Sequence, residues 1–187
     1  MAASKVSICN AALDRIGAPP IAALDEDTKR ARTMAVVYDL VLDLVLAEAA
    51  WPFALKRASL ARSADAPAYG YAYAYQLPTD FISLESMADG PGLDYQIEGN
   101  QIVTDAESVR LRYVRRVADP NLFPPSFVDL LALRLAAEIA LTITRKSSDF
   151  ETLMALYKQR LGEVRDIVSA DQGAPQEETP YWTEGRG

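Results

Sequence analysis

Residues 127–146 read FVDLLALRLAAEIALTITRK, and nearly every position is Ala, Leu, Ile, Val or Phe. The polar interruptions are Asp129, Arg134, Glu138, Thr142 and Thr144. A helix apolar on almost all sides must be surrounded by other protein or by lipid. Each of the three charges would cost about 2.5–3.5 kcal/mol near the centre of a bilayer, and Ala offers little to offset that. The helix is therefore expected to be buried in protein, with Arg134 and Glu138 paired four residues apart on its face. If it also meets a neighbouring subunit, some of its Leu and Ile side chains should stay exposed on one chain.

The neighbouring segments extend this into a helical layer. Ser126, with Asp129 three residues on, has the form of a capping box for this third helix. Ser147-Ser148 then separates it from a fourth, for which Ser148 and Glu151 form a similar pair. Phe150, Met154, Tyr157, Leu161, Val164 and Val168 step by four and three, the spacing of a coiled-coil seam. At the other end of the chain, Val6, Cys9, Leu13 and Ile16 make one stripe of a first helix over 4–16. Gly17 and Pro19-Pro20 stop it. Asp25, Glu26 and Asp27 are read as the acidic start of a second helix running to about residue 50. On that helix Asp39 and Asp43 mark a narrow polar face, with Met34, Val37, Tyr38, Val41, Leu44 and Val45 opposite. Leu40, Leu42 and Leu46 are left over, a girth that suits a helix touched by more than one partner, a second subunit among them.

Trp51-Pro52-Phe53 ends the helix, because proline disfavours the helical conformation in the residue before it. The pattern then changes to period 2. Strands are expected over 54–62, 81–87, 95–98, 101–104 and 109–117, with Asp89-Gly90-Pro91-Gly92 as a turn and Gly99-Asn100 as a two-residue hairpin loop. Tyr69, Tyr71, Tyr73 and Tyr75 alternate with small residues, placing four phenols on one face. That face is either a packing surface or a stacking platform for single-stranded nucleic acid, and the absence of interleaved basic residues favours packing. In the last strand Val109, Leu111, Tyr113 and Val117 share one side, with Arg110, Arg112 and Arg116 on the other. Those arginines read as a solvated strand face, or as a contact for an acidic partner or DNA.

The totals narrow the function. Half of the 187 residues are hydrophobic, a globular profile. The formal net charge of -7 argues against a dedicated nucleic-acid binder, though not against a protein that lets DNA slide past an acidic wall. There is no His and one Cys, so His-dependent triads, zinc clusters and an internal disulfide framework are excluded. Cys9 on an apolar stripe reads as a small core residue. The carboxylates occur as caps and helix-surface residues, which supports no acid–base pair, no metal and no cofactor. The N-terminus, with one Lys before a polar-interrupted amphipathic run, predicts no signal peptide.

The expected fold is α+β, mainly α: a four-helix bundle of two N-terminal and two C-terminal helices, with a β-rich insertion between helices 2 and 3. Residues 1–53 and 118–171 would form the bundle, 54–117 the insertion, and 172–187 an extended, flexible C-terminal tail. The tail is Gly-, Pro-, Gln- and Glu-rich yet ends in Pro180-Tyr181-Trp182, aromatics that suggest a binding partner.

Several short segments carry a family resemblance in order along nearly the whole chain. They are Ile8-Cys9-Asn10-Ala11-Ala12-Leu13 with Ile16-Gly17, Ala23-Leu24-Asp25-Glu26 leading to Lys29, and Tyr38. Next come Trp51-Pro52-Phe53-Ala54, the run from Tyr71 through Tyr75-Gln76-Leu77-Pro78-Thr79-Asp80, and Tyr95-Gln96-Ile97-Glu98-Gly99. Leu111-Arg112-Tyr113, Phe127-Val128-Asp129, the apolar run 133–140 and Trp182 complete the set. Together they resemble the tail tubular protein A family of tailed bacteriophages, the head-to-tail adaptor or gatekeeper proteins. The tail, Tyr-Trp-Thr-Glu-Gly-Arg-Gly, is looser than the family's Trp-then-Arg ending. The resemblance implies a non-enzymatic virion protein of the neck, assembled in the bacterial host cytoplasm for a phage, prophage or gene transfer agent. It implies a homo-oligomeric ring, typically of 12 subunits, between the portal protein and a tail nozzle, tail terminator or tube protein. Double-stranded DNA would pass through it without sequence specificity, and no membrane is involved. Pro180, Tyr181, Trp182 and Arg186 would contact the portal or a neighbour; Arg110, Arg112 and Arg116 would face another ring or the DNA. The alternative is a cytosolic helical nucleic-acid-binding or regulatory module that uses the Tyr stripe and the Arg-rich strand.

Overall fold

The computed structural model describes residues 3–88 and 92–171. Within them the chain is mixed helix and sheet: four helices and two small antiparallel sheets of three strands each. The helices are α1 (Lys5–Arg15), α2 (Lys29–Ala47), α3 (Pro125–Thr144) and α4 (Ser147–Asp171). Between α2 and α3 run β1 (Leu55–Ser59), β2 (Tyr73–Gln76), β3 (Phe81–Met87), β4 (Tyr95–Glu98), β5 (Gln101–Thr104) and β6 (Arg110–Arg115).

Helix α3 packs against each of the other three helices. Its sequence dictates that place, since Phe127, Leu130, Leu131, Leu133, Leu135 and Ile139 point around the whole circumference and all are buried. The expectation that α3 leaves Leu and Ile exposed is met only at Leu141; its other leucines and Ile139 are buried within one chain, and Ile143 is half-buried. Arg134 donates to Glu138 at 2.6 Å and lies over the Tyr157 ring, so its charge is held between α3 and α4. No helix among the described residues is long and apolar enough to cross a membrane.

Helix ends differ from expectation in instructive ways. Ser4 caps α1 through a reciprocal pair with Ser7, and Gly17 (φ +66°) turns the chain out of the helix. The acidic run 25–27 lies ahead of α2, not in its first turn; Thr28 is the cap, accepting from the Ala31 N–H. A Thr at that position satisfies an orphan amide directly, leaving Glu26 to accept from Ala22 and Asp27 to pair with Arg32. Ser126 lies inside α3, which starts at Pro125 with Pro124 as a cap that makes no side-chain bond. Asp129 instead pairs with Arg15 of α1. Ser148 lies inside α4, and the seam of that helix packs on the core from Met154 to Val164 while Phe150 is exposed.

Trp51, Phe53, Phe123 and Phe127 fasten the β segment to the helices where the chain leaves and returns. Phe127 meets the other three rings edge-on at 4.9 Å each. The Trp51 indole donates to the Val45 carbonyl at 2.9 Å, satisfying its one polar group in the core. A single apolar cluster runs from the helices into Val114 and Val117, with Leu55 and Ile82 packed against it. A second cluster lies between the two sheets: Tyr75, Leu77 and Ile102 against Leu111, Tyr113 and the side chains of Phe81, Leu84 and Met87.

The sheets are ordered β1-β6-β3 and β2-β5-β4. Strands β3, β4 and β5 have the expected bounds, and Gly99 takes φ +60° ahead of Asn100, as a type II′ hairpin requires. The first strand is shorter than 54–62, because a short 3₁₀ turn takes Pro52–Ala54 and only an isolated bridge pairs Arg62 with Tyr75. The turn foreseen at 89–92 falls mostly outside the described residues.

Candidate functional site

Two surfaces bear on function, the outer side of α2 and the outer face of β1-β6-β3. On α2, Ala31, Met34, Tyr38, Val41, Leu42, Val45 and Leu46 are buried. Val36 (78% exposed), Leu40 (63%) and Leu44 (41%) step by four along the opposite side, forming an apolar stripe in solvent. This corrects the face assignment from sequence: Leu44 is out, while Leu42 and Leu46 are in. The helix is apolar on so many sides that the protein's interior, not periodicity, decides which side turns inward.

The polar residues of α2 hold the sheet. Arg116 donates to Asp43 at 2.6 Å and to Asp39 at 3.1 Å, and Lys5 of α1 reaches Asp39 at 3.3 Å. Partial burial pushes the Asp39 carboxyl upward, but hydrogen bonds and charge from Lys5 and Arg116 outweigh it and hold it below the usual range. The Asp43 hydrogen bond leads the causes that raise the Arg116 guanidinium. Arg116 lies one residue past β6 and is spent on this internal network, so it does not continue the basic strand face. At the sheet's other side, Asp80 accepts from the Tyr113 hydroxyl at 2.8 Å and pairs with Lys56 at 3.1 Å. Its carboxyl too is held below the usual range: burial alone would raise it, and the Tyr113 and Lys56 bonds prevail.

Arg110 and Arg112, the other two of the three arginines expected on that face, remain together on the sheet. In register, Arg57 stands opposite Arg112 and Ser59 opposite Arg110, with Ser86 of β3 on the far side of Arg112. An open groove of about 410 Å³ runs over this face, lined by Arg57, Ser59, Ser86, Ala88, Arg110 and Arg112. Arg57 was not foreseen as part of the set. Its position in an apparently mixed strand carried no signal until the register placed it beside Arg112.

The Tyr stripe does not form a platform. Only Tyr73 and Tyr75 lie in a strand; Tyr75 is buried between the sheets, its hydroxyl donating to the Ala106 carbonyl at 2.7 Å. Tyr73 is covered by the Arg62 guanidinium, 3.6 Å from the ring centre. Tyr71 bonds Asp94, and Tyr69 alone is fully in solvent. The stripe is a packing face at its C-terminal half and dispersed at its start.

Cys9 is buried and burial pushes its thiol up to about 12, a core residue and not a nucleophile. Among the described residues no three His, Cys, Asp or Glu side chains gather as a metal site. Pro180, Tyr181, Trp182 and Arg186, the expected portal contacts, lie outside the described residues. No known family model matches the chain, and no curated protein matches it.

Proposed function

We propose that this chain is a head-to-tail adaptor of a tailed-phage-like particle, in a phage, a prophage or a gene transfer agent. Copies form a ring, twelve by the family resemblance, that joins the portal to a tail nozzle, terminator or tube protein and encircles passing double-stranded DNA. In this reading α1 to α4 act as one four-helix bundle and residues 54–117 as its β-rich insertion. The tail, through Pro180, Tyr181, Trp182 and Arg186, docks on the portal or a neighbour. The role is structural, without catalysis.

The observation that carries the reading is the apolar stripe Val36, Leu40 and Leu44 on α2. Three large side chains aligned in water suit a surface that a second copy covers. The ordered family resemblance supplies what the copies build. Helix α3 contributes little to this argument, because the chain already covers it.

The test is to mix the purified chain with the portal protein from the same genome and measure assembly by mass photometry. The expected product is one adaptor chain per portal subunit, and Leu40→Asp together with Leu44→Asp abolishes it while the single chain stays folded. Full assembly by that double variant refutes the proposed interface.

A further inference from the structure

We infer that the outer face of β1-β6-β3 binds the phosphates of duplex DNA through Arg57, Arg110 and Arg112. The register makes a small grid. One row runs Arg57, Arg112, Ser86; the next runs Ser59, Arg110 and Ala88, whose N–H donates to the Arg110 carbonyl at 2.8 Å. Directly opposed side chains on antiparallel strands lie about 5 Å apart at Cβ, and like charges there repel. Arg57 and Arg112 are such a pair. An oxyanion seated between them accepts from both forks.

The flanks suit a phosphate chain. Arg110 and Arg112 are two residues apart on one strand, about 7 Å, similar to the spacing of successive phosphates along a nucleic-acid strand. Ser59 and Ser86 add hydroxyl donors, and none of the described side chains lining the groove is acidic. Arg110 and Arg112 also interact within the chain; a guanidinium has five N–H donors, so an internal partner still leaves donors for a ligand. A second cleft of about 270 Å³, bounded by Pro52, Leu55, Lys56, Arg57 and Arg112, continues the basic strip past the first row. Among the described residues no aromatic side chain lines either groove, so none of them offers a base-stacking platform that would favour single strands. The chain's net charge of -7 makes the contact local and salt-sensitive.

This inference does not depend on the ring, because a monomer carries the whole grid. The assay is fluorescence anisotropy of a labelled 20-base-pair duplex titrated with the full chain across a salt series. Three phosphate contacts give a slope of log Kobs against log[salt] of about -2.7, so affinity falls about 40-fold between 50 and 200 mM salt. The triple variant Arg57→Gln, Arg110→Gln, Arg112→Gln is expected to flatten that slope by about 2.7. A control, Lys158→Gln with Arg160→Gln on exposed positions of α4, should leave it unchanged. If the triple variant melts early, Arg57→Gln alone decides, with an expected flattening of about 0.9. Absence of duplex binding at 50 mM salt overturns the inference, as does an unchanged slope in the variants. So does displacement of the duplex by polyglutamate at equal charge, which would identify an acidic protein surface as the ligand. None of these outcomes bears on portal assembly.

Discussion

Two leucines of α2, Leu40 and Leu42, should behave as opposites. Leu42 is fully buried in the helical core, whereas Leu40, two residues earlier, is 63% exposed. Leu42→Ala removes buried methyl groups and leaves a cavity, a change that costs about 2–5 kcal/mol. In a domain of this size each kcal/mol moves Tm by about 2–4 °C, so the melt should fall by roughly 4–20 °C. Leu40→Ala removes atoms already in water and should stay within about 0.5 kcal/mol. In an assembled ring the order reverses. Covering the exposed part of Leu40 is worth about 1–2 kcal/mol per interface by apolar area, roughly a tenfold loss of affinity per contact when it is removed. Calorimetry of the dilute monomer reads the first pair of numbers, and sedimentation of the portal complex reads the second. Equal destabilisation of the monomer by both substitutions would mean that α2 is turned differently, and the interface argument would fail with it.

Other consequences are as direct. Arg116→Ala removes charged hydrogen bonds to Asp39 and Asp43 and should cost about 1.5–3 kcal/mol, toward the lower end because the group is partly exposed; a double-mutant cycle with Asp43→Asn should show a favourable coupling, and additivity would contradict the network. Asp39 and Asp80 are held below their ordinary range in the folded state. Their contribution is therefore complete above the unfolded carboxylate value of about 3.9 and is lost as pH falls through the lowered folded values. Thermal melts between pH 7 and 2.5 should show that loss beginning near pH 4, and Asp39→Asn with Asp80→Asn should shrink it. Cys9 should resist aromatic disulfide reagents at pH 8 in the folded chain and react at once in denaturant, since burial holds its thiol at about 12; fast labelling of native protein would place it at a surface.

Local signals in the sequence are strong where a side chain's fate depends on its neighbours in the chain. The circumference of α3 demands burial, Gly99-Asn100 demands a hairpin, and the segment 81–87, expected as a strand, has the observed bounds. What was hidden depends on residues far apart. Asp43 and Arg116 are 73 positions apart, and only the packing of α2 on the sheet shows that this arginine is paired within the chain. Arg57 joins Arg112 through strand register, which no single-strand pattern reveals. The Tyr stripe misleads because its alternation runs through residues 69–72, where the chain bends before β2 begins. The acidic run before α2 drew the helix start forward, although Thr28 carries the stronger capping chemistry. At the end of α3 the left-handed position falls on Arg145 (φ 60°) where Gly is usual, so nothing in composition marked that boundary.

The central claim is an adaptor ring, and the most direct measurement is cryo-electron microscopy of the particle whose genome encodes this chain. The account predicts density for it at the neck, once per portal subunit, with the Val36, Leu40 and Leu44 side of α2 against the adjacent copy. Its absence from the particle, or its location in the capsid shell, would contradict the account.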